Sequence, residues 1–147
     1  MYQKAVQAVK NERGLTLIEL LAVVVILGII AAIAIPAIGG LIDNSKKDAH
    51  VANAVQMINS AKLAVLGDDE FRPEANGTKT ITLKELEEGG YLEPVRDPDG
   101  GTYNVDGSSV TVTAGTDART FTYSVTLTNG TRGITGPEDE LKRSAVK

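Results

Sequence analysis

The feature that most limits the fold of this chain is an uncharged apolar run of 23 residues, Leu20–Ile42. As an α-helix this run is about 34 Å long, at about 1.5 Å per residue. That length is enough to cross a bilayer core of about 30 Å. The rest of the 147-residue chain is polar and rich in Thr, Gly, Asp and Glu, so it can bury only a small core. The sequence therefore predicts a membrane helix joined to one small domain.

A secretory signal peptide is one interpretation of the N-terminal region. Lys4, Lys10 and Arg13 form a positively charged start, and Ala32-Ile33-Ala34 imitates a cleavage site. However, the apolar run exceeds the usual 7–15 residues of such a signal, and the carboxylate of Glu19 lies at its start. Both features weigh against a signal peptide that is removed after Ala34.

A simple membrane anchor is the second interpretation. It explains the length of the apolar run, and it places the N-terminal Lys and Arg residues in the cytoplasm, although Lys46 and Lys47 follow the run on its other side. It does not explain Glu19, because an ionisable side chain within a membrane segment costs free energy and usually has a partner.

A third interpretation supplies that partner. The residues Gly14-Leu15-Thr16-Leu17-Ile18-Glu19, followed by a long apolar helix, resemble the class III signal of type IV pilins and the related pseudopilins. The resemblance implies that a membrane peptidase cuts after Gly14 and methylates the new N-terminus, Leu15. It also implies that Glu19 is the carboxylate used in filament assembly. The chain departs from the family in having Leu15 where Phe is usual, which bears on methylation more than on cleavage.

Elementary chemistry is consistent with these roles. Gly is the poorest helix former after Pro, so Gly14 is a natural place to expose a peptide bond. Cleavage there creates an α-amino group on Leu15, which can pair with the Glu19 carboxylate of a neighbouring subunit. Such a pair is strong where the dielectric constant is low, and an unpaired charge is costly there. We therefore expect Glu19 to be neutralised on assembly and to set the register between subunits.

The domain organisation follows from this assignment. Residues 1–14 are the predicted leader, and a long helix covers 15–66, with the transmembrane and filament segment at 15–42 and an amphipathic segment at 43–66. Gly28 and Pro36 are expected to interrupt the helix, as family members do inside a filament, or to kink it in the unassembled chain. The amphipathic segment carries apolar residues at helical spacing, which are expected to pack on a sheet: Val51, Ala54, Val55, Ile58, Ala61 and Val65.

Residues 67–147 form the predicted head. After a loop at 67–80, Thr82-x-x-Glu85 reads as a capping box for a short helix over 83–88. Alternating apolar and Thr residues then predict a β-meander of three or four strands at about 102–128. Asp106-Gly107 and Asn129-Gly130 are hairpin signals. The charged tail, 136–147, is expected to be flexible.

Neither a metal site nor an enzyme is expected in the part of the chain that follows the membrane segment. Asp97-x-Asp99 is a weak calcium candidate, but Gly101 and Thr102 stand where the calcium-loop pattern places its third ligand and its glycine. An Asp-Pro turn is therefore preferred, with no cofactor. His50 is the single histidine and is interpreted as solvated, without the partners that catalysis needs. A membrane-tethered enzyme or binding module is set aside for the same reason.

The resemblance implies an α+β fold, the type IV pilin α/β-roll, in which a long N-terminal helix packs on a small antiparallel β-meander. The predicted function is that of a homopolymeric pilus subunit, used for adhesion or twitching. The alternative is a pseudopilin of a type II secretion or competence DNA-uptake system. Expected partners are further copies of the chain, the prepilin peptidase and methyltransferase, a membrane assembly platform and minor pilins.

Location and charge complete the expectations. The precursor is expected to cross the cytoplasmic membrane once and then to join an extracellular filament. The absence of cysteine differs from the disulfide-bonded pilins of many Gram-negative bacteria and favours a Gram-positive source. The formal net charge of −4 gives no basic footprint for nucleic acid.

Overall fold

The computed structural model describes residues 12–147 in full, and for residues 2–11 it describes only the course of the helical backbone. Lys4 and Lys10 of the predicted leader therefore lie outside the fully described residues. The chain divides into a first unit that ends at Ile42 and a second unit, Asp43–Lys147. Helix α1, Tyr2–Gly67, passes through both.

The first unit exposes its apolar side chains. Every Val, Leu and Ile from Leu15 to Ile42 is 51–72% exposed. The helix is long and apolar enough to cross a membrane. Its backbone continues through Gly28 and Pro36, so neither residue ends the helix in the single chain. Their predicted loss of helical order inside a filament stays a prediction.

In the second unit, α1 presents one buried stripe to the core. Its fully buried apolar residues follow helical spacing and are Ala54, Met57, Ile58, Ala61, Ala64 and Val65. The sequence prediction missed Met57 and Ala64 and wrongly included Val55, which is 39% exposed. Val55 follows Ala54 by one residue, and one residue is about 100° of rotation, so it points off the buried stripe.

Four antiparallel strands form one sheet in the order β1-β2-β3-β4. They are β1 (Thr78–Thr82), β2 (Ser109–Ala114), β3 (Phe121–Thr128) and β4 (Gly133–Pro137). The register places Ile81 opposite Val110, and Val110 opposite Val125. These residues alternate with Thr and Ser, so one face is buried and the other is wet. The predicted α+β fold, a long helix with an antiparallel meander, is confirmed.

Helix α2 spans Leu83–Glu88, the range that the sequence predicts. Its N-cap is Thr82, whose hydroxyl oxygen accepts a hydrogen bond from the backbone N–H of Glu85 at 3.2 Å. The Glu85 carboxylate in turn accepts the backbone N–H of Thr82 at 2.7 Å, which completes the capping box. Leu83 and Leu86 bury against the core.

The strands differ in position from the predicted meander. β1 begins inside the predicted loop 67–80. The sequence prediction missed this strand because Thr-Lys-Thr-Ile-Thr carries a single apolar residue, as an edge strand can. Residues 103–105 form no strand, and Asp106-Gly107 precedes β2 instead of joining two paired strands. Asn129-Gly130 does join β3 to β4, with Gly130 at φ 92°.

The structure also packs the tail that was expected to be flexible. Val146 is buried, Ile134 bridges to it, and Gly133 and Lys147 exchange two backbone hydrogen bonds at 2.8 and 2.9 Å. Two 3-10 turns, Glu138–Glu140 and Arg143–Ala145, lie in this segment; a third, Asp69–Phe71, follows α1. The tail is held in place because its buried Val146 pairs with Ile134 of β4 at the edge of the sheet.

Candidate functional site

The first candidate site is the start of the apolar helix. Glu19 is exposed among Leu and Ile side chains, and within residues 12–147 its carboxylate forms no salt bridge or side-chain hydrogen bond. In water this is harmless, but in a membrane or a packed bundle it leaves a charge that needs a partner. The geometry of one chain therefore leaves the Glu19 carboxylate available to a second molecule.

The predicted cleavage bond, Gly14–Leu15, lies inside α1. The Thr16 hydroxyl donates a hydrogen bond to the Arg13 carbonyl oxygen at 3.0 Å, which spans this bond. A peptidase that needs an extended substrate must therefore unwind the first turn. Gly14 lowers the cost of that step because it disfavours helix. Processing at this bond and N-methylation of Leu15 stay predictions.

The second candidate site is a buried polar cluster in the second unit. His50 on α1 is fully buried, Asp97 is 8% exposed and Tyr103 is 5% exposed. The Tyr103 hydroxyl is 2.7 Å from His50 Nδ1, and His50 Nε2 is 2.9 Å from Asp99 Oδ2. Because a carboxylate only accepts hydrogen bonds, we assign the imidazole proton to Nε2, so that Nδ1 accepts from Tyr103.

Further residues hold the two aspartates. Asn129 Nδ2 donates to Asp97 Oδ2 at 2.8 Å, and the backbone N–H of Asp99 donates to Asp97 Oδ1 at 2.9 Å. Arg132 NH1 lies 3.3 Å from Asp99 Oδ1, while its NH2 donates to Asp43 Oδ1 at 2.7 Å. The cluster thus ties α1 to the loop before β2 and to the turn between β3 and β4.

The electrostatics of the cluster follow from these contacts. The hydrogen bond from His50 is the main cause that lowers the pKa of Asp99 below its ordinary value, and the charge of Arg132 adds to it. Burial raises the pKa of Tyr103 to about 12, with further increase from the charges of Asp97 and Asp99. Tyr103 is therefore a neutral hydrogen-bond donor at physiological pH, and Asp99 is a carboxylate.

The sequence prediction for His50 is wrong, because His50 is buried and not solvated. Its partners Asp99 and Tyr103 lie 49 and 53 residues further along the chain, so no local pattern reveals them. Its position in the sequence could have revealed its burial, because His50 precedes Ala54 by four residues and therefore shares the buried stripe of α1. Asp97 and Asp99, the weak calcium candidates, are brought together with this histidine.

Comparison with known proteins bears on the first site. Residues 9–35 match the family described as the prokaryotic N-terminal methylation motif, a range that includes Gly14, Leu15 and Glu19. The motif, the apolar helix and the α+β fold support one class of protein, the pilins and pseudopilins.

A relative extends the similarity beyond the helix. The chain is 23% identical over 141 residues to the type II secretion system core protein G of Klebsiella michiganensis. The alignment covers 90% of this chain and 92% of that protein. No solved structure matches the chain. The motif and the relative together support a pilin or pseudopilin role and point to a structural subunit.

Proposed function

We propose that this chain is the structural subunit of a type IV pilus filament, held in the cytoplasmic membrane until it is cleaved after Gly14 and then polymerised through its N-terminal helix. The observation that carries this proposal is the exposed apolar surface of residues 15–42, which surrounds the Glu19 carboxylate, unpaired within residues 12–147. Such a surface needs lipid before assembly and other helices afterwards.

Assembly supplies both requirements in one step. Packing against copies of the same helix buries the Val, Leu and Ile side chains, and the amine of a neighbouring Leu15 neutralises Glu19. The partners implied are the prepilin peptidase and methyltransferase, the assembly platform, minor pilins and further copies of the chain. An extracellular filament is the final location. Adhesion, twitching and a Gram-positive source remain predictions from the sequence.

A pseudopilin of a secretion system is the second candidate. The similarity to a type II secretion core protein favours it, because the alignment extends across the second unit as well as the helix. Both candidates share the processing site and the helix, and they differ in whether long surface filaments form.

The deciding experiment compares surface filaments on wild-type and deletion cells by electron microscopy. Long filaments that disappear on deletion and return with the plasmid-borne gene support the pilus subunit. Unchanged filaments together with a lost secreted protein support the pseudopilin.

Processing is tested separately by mass spectrometry of the N-terminal peptide, which we expect to begin at N-methylated Leu15. Gly14→Val should remain uncleaved because a branched side chain crowds the bond, whereas Gly28→Val, a matched change inside the same helix, should be cleaved. A mature chain that begins at Ile35 would show an ordinary secreted protein and would contradict both candidates.

A further inference from the structure

We infer that His50, Asp97 and Asp99 form a binding site for a divalent transition-metal ion, with Zn²⁺ as the ion that the ligands fit best. The site belongs to the second unit and does not depend on filament assembly. One nitrogen and two carboxylate oxygens of these side chains lie within 4.8 Å of one another. A ligand set of imidazole and carboxylate is one that zinc uses in proteins.

Two separations between the ligand atoms lie on either side of the value for a tetrahedral ion. His50 Nε2 lies 2.9 Å from Asp99 Oδ2 and 3.9 Å from Asp97 Oδ1. Ligands about 2.0–2.2 Å from zinc at tetrahedral angles lie about 3.4 Å from each other. Movements of about half an ångström therefore bring both separations to the value that the ion requires, which side-chain rotation can supply.

The atoms that do not point to the site are held by other partners. The Tyr103 hydroxyl is hydrogen-bonded to His50 Nδ1. Asn129 donates to Asp97 Oδ2, and Arg132 donates to Asp99 Oδ1. Outer contacts of this kind orient metal ligands and fix the histidine tautomer. His50 Nε2, Asp97 Oδ1 and Asp99 Oδ2 remain as the ligand atoms. Asp97 Oδ1 also accepts the backbone N–H of Asp99 at 2.9 Å, and a carboxylate oxygen can keep this hydrogen bond while its other lone pair binds the ion.

Entry and a fourth ligand come from the solvent side. An open cleft of about 550 Å³ is lined by both aspartates together with Gly101, Thr102, Asn129 and Arg132. Asp99 is the rim ligand, since its side chain is 24% exposed, whereas those of His50 and Asp97 are at most 1% exposed. A water molecule from this cleft completes four-fold coordination.

Binding exchanges the histidine tautomer. Zinc takes the lone pair of Nε2, so the proton leaves that nitrogen and Nδ1 carries one instead. Nδ1–H then donates to the Tyr103 oxygen, whose hydroxyl hydrogen turns away. One proton leaves the ring and one is taken up, so no net proton is released. The two carboxylates balance the charge of the ion.

Nearby cations limit the affinity. Arg132 and Lys46 lie 3.3 and 3.8 Å from Asp99 Oδ1, the oxygen that faces away from the ion. Their charge repels a metal cation. With three protein ligands and these neighbours, we expect weaker binding than at structural zinc sites with four protein ligands. Calcium is disfavoured because it prefers six to eight oxygen ligands.

The single histidine of the chain makes a direct test possible on the wild-type protein. The full chain, without a histidine tag, is labelled with ¹⁵N in the histidine ring, placed in detergent micelles and titrated with Zn²⁺. We expect a saturable change in which Nε2 shifts by coordination and the ring proton moves to Nδ1. Ca²⁺ and Mg²⁺ should cause no such change.

Thermal unfolding provides the second measurement. A ligand at 100 times its dissociation constant raises the ratio of folded to unfolded chain about 100-fold, so zinc should raise the melting temperature of the wild type. Asp97→Asn and Asp99→Asn should lose this increase. Asp69→Asn, an equal charge change at a carboxylate whose side chain is 90% exposed, should keep it.

The possible results separate clearly. An unchanged His50 ring spectrum at saturating zinc overturns the proposal, even if either cluster variant fails to fold. Equal zinc-dependent stabilisation of Asp99→Asn, Asp69→Asn and wild type overturns it as well, since it shows binding elsewhere. Stabilisation by calcium without a zinc effect would replace this site with one built from oxygen ligands.

Discussion

Arg143 and Asp48 form a surface ion pair that joins the tail to α1. Arg143 donates two hydrogen bonds to the Asp48 carboxylate, at 2.8 Å and 2.5 Å. These bonds hold the pKa of Asp48 below its ordinary value. Both side chains are about half exposed, so solvent screens the pair and its contribution to stability is small.

The pair predicts a specific pH dependence. A lowered carboxyl pKa in the folded state contributes stability that is present above the unfolded value of about 3.9 and is lost as the pH falls through the folded pKa. Asp48→Asn should therefore be slightly less stable than wild type at pH 7, and the difference should shrink below about pH 4. Urea unfolding across this range measures it.

Arg143→Gln serves as the matched control for this prediction. It removes the other partner, so it should give the same small loss at pH 7, and the double variant should lose little more than either single one. Additive losses, or a difference from wild type that grows as the pH falls below 4, would show that the two side chains do not interact in solution.

Gly133 tests the close approach of two strands. A Cβ at this position would lie 2.6 Å from the backbone carbonyl oxygen of Leu127, and backbone cannot move away cheaply. Gly133→Ala should therefore destabilise the chain by about 1–3 kcal/mol, the usual range for overpacking. Chemical denaturation of the full chain in micelles measures the change.

Gly136 lies in the same strand, β4, and provides the control. A Cβ there meets nothing within 4 Å, so Gly136→Ala should be within about 0.5 kcal/mol of wild type, as at ordinary surface positions. Equal effects of the two substitutions would show that β4 is not held against β3 as the register requires.

At the scale of elements, the capping box decides where α2 begins. Thr82→Ala removes the side-chain acceptor and should cost about 0.5–2 kcal/mol. Thr82→Ser keeps the hydroxyl and should recover most of that loss. Thr80→Ala is the control: it makes the same change at an exposed position of β1, so it measures the loss of the strand propensity of Thr without loss of the cap. Equal losses for Thr82→Ala and Thr82→Ser would contradict a role for the cap.

The elements also show what sequence can reveal. Helix α2 was predicted within its observed bounds because Thr82 and Glu85 are three residues apart, and the cap is a local interaction. The alternating residues of β2 and β3 were equally visible. β1 was missed because four of its five residues are polar, and its place in the sheet depends on pairing with β2, about 30 residues away.

Of the two candidate sites, one could be predicted from the sequence and the other depends on the fold. Gly14, Leu15 and Glu19 form a contiguous signal, so their predicted roles can be read from the sequence alone. The cluster around His50 could not be, because Asp97, Asp99 and Tyr103 reach it only once the loop before β2 folds onto α1. The tail was misread because Val146 is one apolar residue among charged ones, and only the edge of β4 shows where it packs.

At the scale of the whole molecule, the two units differ in what they leave uncovered. The second unit buries its own core around Ile58, Leu86 and Val125. In the described part of the first unit, residues 12–42, every Val, Leu and Ile is exposed, and such a surface is suited to lipid or to other subunits. Removing Lys4, Lys10, Arg13 and Glu12 with the leader would change the formal net charge from −4 to −6. Subunits of like charge repel, so the apolar helix has to supply the attraction that holds a filament together.

We propose that Glu19 sets the register in which neighbouring helices pack. If the carboxylate pairs with the amine of a neighbouring Leu15, Glu19→Ala should leave membrane insertion intact or improve it, since a costly charge is removed. Filament yield should fall sharply, because the neighbour's amine loses its partner at low dielectric. Cleavage after Gly14 should continue, and the second unit should stay folded. Sheared filaments are compared with membrane-held subunits by immunoblot in a deletion strain.

Two further variants separate charge from shape. Glu19→Gln keeps the volume and hydrogen-bonding capacity of the side chain but cannot form the ion pair, so it should assemble as poorly as Glu19→Ala. Glu12→Gln makes the same change on the leader side of the cleavage bond, and the mature subunit should not carry it, so its filaments should match wild type. Normal filament yield from both Glu19 variants, with wild-type processing, would mean that apolar helix packing sets the register without help from the carboxylate.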